Sequence, residues 1–138
     1  MRRTRGQAAV ELAFVTLVLA VLVVGLVSAS EVVQAQIGLT AVAEEAALAA
    51  ALAPSVDTVE QRGQQRGLAV ADGYALRNGS LSVAIQFARF GPGQQVRAVA
   101  SYQLTSRDIP LLVVGSVNLS LAHVEVVPQV RGLPQVGG

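Results

Sequence analysis

A 138-residue chain with no cysteine cannot form disulfides, a thiolate metal site or a lipid-modified cysteine anchor, and its length holds one small domain plus an appendage. The formal charge of +1 is uneven: without residues 1–6, seven arginines stand against nine acids, leaving −2. The basic character belongs to Arg2, Arg3 and Arg5, so the remainder lacks the footprint of a nucleic-acid binder.

The first element follows those arginines. From Leu12 to Ala29 no residue is charged, and only Thr16 and Ser28 are polar. A helix crossing ~30 Å of hydrocarbon needs roughly 20 such residues, so 12–29 qualifies as a short span in contact with membrane lipid. Three readings of this N-terminus are open. A secretory signal would be cut after Val27-Ser28-Ala29. A retained signal anchor would keep its arginines in the cytoplasm. The third takes Gly6 as the last residue of a leader covering 1–6, so that the mature chain starts Gln7-Ala8-Ala9-Val10-Glu11.

That third pattern, "RGQAAVELAFVTLVLAVLVVG", resembles the class III signal peptide of type IV pilins and pseudopilins. It is most similar to the TadE-like minor pilins of tight-adherence (Tad) pili, over about residues 3–50. The resemblance implies cleavage between Gly6 and Gln7 by a prepilin peptidase. It also implies that Glu11 neutralises the new amine of a neighbouring subunit, and that the partners are other Tad pilins or pseudopilins and the Tad secretion platform. A carboxylate at mid-bilayer costs about 2.5–3.5 kcal/mol, and less near the interface. Glu11 therefore needs either a function or the mere comfort of a helix's first turn. The implied location is the cytoplasmic membrane in a single pass, with N-terminus cytoplasmic, head extracytoplasmic, and entry into a surface pilus. The alternative function is a secreted or signal-anchored envelope binding module with no pilus role.

Ser30 to Ala53 is rich in helix-compatible Ala, Gln, Glu and Leu with no proline, so one helix is expected over about 7–53, roughly 70 Å long. Val33, Ile37, Ala41, Leu48 and Leu52 share a stripe, with Glu44 and Glu45 assigned to other faces. Gly25 and Gly38 mark kinks or close approaches. The head, 54–138, begins with a second helix capped by Asp57 with Glu60 as capping-box partner, stopping at Asn78-Gly79. Its apolar face would be Val59, Leu68, Ala69, Ala75 and Leu76, weakened by Gly63, Gly67 and Gly73.

Beyond Gly79 the period becomes two. Leu81, Val83, Ile85 and Phe87 alternate with polar or small residues, "GPGQ" is a turn, "VRAVASYQL" alternates less cleanly, and "VNLSLAHVEVV" is a third strand. Ile109–Val114 form an apolar loop rimmed by Arg107 and Asp108, and 128–138 a loose tail. The expected fold is α+β: a long N-terminal transmembrane helix, a second shorter helix and a small three-stranded antiparallel sheet, as in pilin heads. No catalytic constellation is present, so the chain is not expected to be an enzyme. His123 lacks a second imidazole or Cys, leaving no metal or cofactor site.

Overall fold

The computed structural model describes residues 2–76, 80–105, 108 and 115–129, with side chains from residue 6 onward. Helix α1 runs Arg2–Ala51, α2 runs Val56–Gly73, and strands β1 (Leu81–Gln86), β2 (Gln95–Thr105) and β3 (Ser116–Val126) form an antiparallel meander in the order β1-β2-β3. The α+β layout expected from the sequence is thus observed.

α1 starts before Gln7, because Arg, Thr and Gln are all tolerated in a helix and a single glycine at Gly6 costs only about 1 kcal/mol. The two hydroxyls of its apolar run satisfy themselves: Thr16 Oγ1 donates to Leu12 O at 2.8 Å, and Ser28 Oγ to Val24 O at 2.9 Å. No side-chain polar group in 12–29 thus asks anything of the surroundings, which suits a hydrocarbon environment.

The C-terminal half of α1 forms the floor of the head. Its buried row is not the Val33–Leu52 stripe but Ala35, Leu39, Val42, Ala43, Ala46, Ala47 and Ala50. Alanines meet alanines: Ala46 and Ala47 pack with Ala98 of β2, and Ala100 lies in the cluster of Leu39 and Val42. Small side chains on both surfaces let the helix lie close over the central strand, while larger residues fill the flanks. The cross-strand row Val83–Ala100–Leu121 shows that arrangement. β2 alternates more cleanly than its sequence suggested, with Val96, Ala98, Ala100, Tyr102 and Leu104 all buried. Its inward alanines had obscured the pattern.

α2 differs from expectation at both ends and on its face. Its N-cap is Ser55, not Asp57, and the Ser55 side chain makes no capping bond; Thr58 instead donates its N–H and Oγ1 to Ser55 O at 3.1 and 3.0 Å. Asp57 sits in the first turn, where the helix dipole favours it. The helix stops at Gly73, before Asn78-Gly79, which lie outside the described residues. Leu76 N–H bonds to Ala71 O and Ala75 N–H to Asp72 O, a Schellman closure with Ala75 at φ 55°. A residue with a Cβ in that left-handed position is strained by about 1 kcal/mol or more. Ala75→Gly is accordingly expected to stabilise the head by about 1 kcal/mol in chemical denaturation.

The buried row of α2 is Val59, Gly63, Gly67 and Ala71, in steps of four, whereas Leu68 and Ala69 are exposed. A Cβ at Gly63 would stand 2.6 Å from Ile85 Cδ1 and 3.1 Å from Ala46 O; one at Gly67 would stand 3.2 Å from Ala46 Cβ. The glycines that weakened the helix by propensity are the surface through which it touches both α1 and β1. Gly38 similarly admits Tyr74 and Leu76 against α1. Across the top of the α1–α2 contact, Arg66 Nε meets Glu45 at 2.9 Å. Both side chains are substantially exposed, so Glu45→Gln is expected to change stability by less than about 0.5 kcal/mol.

β1 ends at Gln86, and Phe87 leaves the strand to meet Phe90 edge-on with centroids 6.2 Å apart. Gly91-Pro92-Gly93-Gln94 is a turn closed by Gln94 N–H to Gly91 O, with Gly93 at φ 76°, the pattern of a type II turn with Pro and Gly at its centre. Val127, the last residue of the third strand expected from the sequence, is buried just past β3, donates its N–H to Gln94 O and accepts from Gly93 N–H.

Candidate functional site

α1 falls into two physically different halves. From Gly6 to Val24 it is exposed all round, and it is the one described helix long and apolar enough to cross a membrane. Its C-terminal half is covered on one side by α2 and the sheet. The chain therefore has the form of a single membrane span or signal anchor carrying an α+β head.

The residues singled out at the N-terminus lie within the first three turns of α1. Gly6 is exposed, and a Cβ added there meets nothing within 4 Å. Packing within this chain therefore does not require glycine at that position. Gln7 Nε2 donates to Glu11 Oε1 at 3.3 Å, one helical turn on. Glu11 is exposed, immediately before Leu12, and shares a side of the helix with Ala8 and Val15. The carboxylate is thus placed one turn from the Gly6–Gln7 peptide bond, with the Gln7 side-chain amide on it. Arg2, Arg3 and Arg5 continue the helical backbone in front; their side chains lie outside the described residues.

A second feature emerges farther along. Val33 is 52% exposed, Ile37 55%, Leu48 41% and Leu52 55%, although all lie past the apolar run. Together with Ala41 they are the stripe read from the sequence, but the structure leaves it uncovered and buries the alanine row instead. Glu44 lies on this stripe between Ala41 and Leu48, not on another face, and it is exposed. The stripe continues downward into the span through Ser30 to Leu26, Val23, Leu19, Val15 and Leu12. Steps of three and four averaging about 3.6 residues keep it nearly parallel to the helix axis.

On the head, His123 Nε2 lies 3.6 Å from Glu125, both about two-fifths exposed at the sheet's β3 edge. Among the described residues no group of three His, Asp or Glu side chains is placed to hold a metal ion. A depression of about 160 Å³ lies between Glu31, Gln34 and Ala35 of α1 and Leu76, Tyr102 and Leu104.

Comparison with protein-family models, curated proteins and solved structures finds no match for this chain.

Proposed function

We propose that this chain is a TadE-like minor pilin or pseudopilin, a structural and assembly component of a Tad-type pilus and not an enzyme. It is made with the leader 1–6, inserted through α1 with its N-terminus in the cytoplasm and its head outside, and cut between Gly6 and Gln7 by a prepilin peptidase. It then joins other Tad pilins through α1.

The observation that supports this best is the uncovered aliphatic stripe of α1, which runs on past the membrane-spanning segment instead of ending with it. An anchor that only tethered a head would have no use for Val33, Ile37, Leu48 and Leu52 in water. Covering the exposed part of each is worth on the order of 1 kcal/mol, and a straight row of this period suits a parallel neighbouring helix. Gly6, free of any packing role within the chain, and Glu11, one turn from the cleavage point, fit the same reading.

The test uses the absence of native cysteine. Ile37→Cys or Leu48→Cys in native membranes is expected to cross-link to other pilin subunits upon mild oxidation, whereas Ser82→Cys on the outer sheet face is not. Equal capture at all three positions, or none at the stripe, rejects packing through α1.

A further inference from the structure

We infer that the exposed stripe of α1 is covered by a helix of a different protein, parallel to α1 and carrying an arginine or lysine level with Glu44, and not by a second copy of this chain. The inference rests on the reading that α1 packs on a neighbouring subunit, and it names that subunit's chemistry.

Glu44 is the one charge on the stripe between Leu12 and Leu52. It is exposed, with Ala41 and Leu48 one turn away on either side, and it stands about 22 Å past Ala29 at ~1.5 Å per residue. Its neighbour Glu45, turned toward α2, is held by Arg66 at 2.9 Å. Glu44 has no ion pair or hydrogen bond among the described residues. A helix that covers Ile37 and Leu48 also strips water from the carboxylate between them, which costs free energy unless a partner charge replaces that water. Whatever covers the stripe must therefore bring a cation to this level.

No copy of this chain brings one on α1. From Gly6 to Ala53 the chain carries Glu11, Glu31, Glu44 and Glu45, and the first basic residue after Arg5 is Arg62. Two copies inserted in one membrane hold their stripes parallel and nearly level. In register, Glu44 faces Glu44, a like-charge contact. Shifted by one turn, each carboxylate is pressed against Ala41 or Leu48 of the other copy. The terminus at Gln7 is about 55 Å of helix away, so no shift that keeps the two stripes in contact brings it to Glu44.

The head of a second copy serves no better. Its Arg66 is held by Glu45, and Arg62 lies beside the exposed Gln61 and Gln65, a polar surface for an aliphatic row. Arg97 does stand near this level on the outer face of β2, because Val96 packs with Ala50 and Ala98 with Ala46. Farther down that face, however, Ser101, Gln103, Asn118 and Ser120 would lie against Val33 and Ile37. A copy seated there would also hold the two spans about 20 Å apart, two layers of ~10 Å, and leave the row from Leu12 to Leu26 uncovered. The aliphatics thus attract an apolar helix while Glu44 selects a basic one, so one row supplies both affinity and partner choice.

The chain has no cysteine, so a single introduced thiol can carry a benzophenone that needs no cysteine on its neighbour. Full-length Ile37→Cys, labelled in this way and present in two tagged forms in native membranes, is expected to give at least about tenfold more adduct with another protein than between the tags. Adding Glu44→Arg is expected to lower the adduct with that protein at least about fivefold. Replacing the arginine or lysine level with position 44 in the captured helix by Glu is expected to restore it. In phosphatidylcholine vesicles, the parent is expected to pair with full-length Glu44→Arg at least about fivefold more than with itself. Adducts mainly between the two tags overturn the inference in favour of a second copy and leave packing through the stripe intact. Capture unchanged by Glu44→Arg, no restoration by the reversed partner, or equal pairing in vesicles also overturns it. No adduct of either kind from position 37 rejects the packing reading itself.

Discussion

Gly63→Val should cost the head about 3 kcal/mol, the largest loss expected from a single methyl-scale change anywhere outside the span. A Cβ there falls 2.6 and 2.8 Å from the Ile85 terminus and 3.1 Å from the Ala46 carbonyl oxygen. Ile85 can rotate away, but it packs on both the Ala46 cluster and the Val59–Val96 cluster, so moving it opens space elsewhere. The Ala46 oxygen belongs to α1 and can retreat only by separating the two helices. Overpacking of this kind costs about 1–3 kcal/mol in ordinary cores, and the branched valine adds more than its first carbon. Gly63→Ala should be milder, about 1 kcal/mol, because improved helix propensity offsets part of the clash. Gly73→Ala has open space around its new methyl and should stabilise by up to about 1 kcal/mol. Urea unfolding of the detergent-solubilised protein, followed by circular dichroism, measures all three. A uniform gain across them would show that α2 does not press on α1 and β1 as described.

Glu11 and Gly6 should separate processing from assembly. With Gly6→Val, the uncut precursor is expected to accumulate, while the fold is undisturbed because nothing crowds that position. With Glu11→Ala, cleavage should stay within about twofold of the parent, and incorporation into pili should fall by more than about tenfold. Under the pilin proposal the basis would be the attraction of the carboxylate for a neighbour's amine, about 4 kcal/mol at ~4 Å for an effective dielectric of 20. The Gln7 amide that now contacts Glu11 leaves that carboxylate intact for such a partner. Immunoblots of whole cells and of sheared pili supply both readouts. Full incorporation of Glu11→Ala would remove the assembly role.

Some of this was legible in the residues and some was not, for identifiable reasons. The long apolar helix, the turn at Gly91–Gln94 and the alternation of β1 and β3 are local patterns, and the chain adopts them. The face of α2 was not legible, because propensity treats Gly63 and Gly67 as weak points, and only contact with Ala46 and Ile85 reveals them as the packing surface. On α1 the bulky stripe is the stronger apolar pattern in the sequence, yet the sheet packs on the alanine row, which meets Ala98 and Ala100 of β2. Glu44 then falls on the exposed stripe beside its aliphatics. The cap of α2 shifted from Asp57 to Ser55 because the turn after Pro54 sets where helical geometry begins. For the N-terminal site, the spacing of Gly6, Gln7 and Glu11 was fully visible in the sequence, and the structure adds that folding alone gives no reason for the glycine.

The mature N-terminus, determined by intact mass and terminal peptide sequencing of protein purified from its native membranes, weighs most heavily on the pilin proposal. A chain beginning at Gln7 is the expected result. A chain beginning at Ser30, or one that retains residues 1–6, would contradict it.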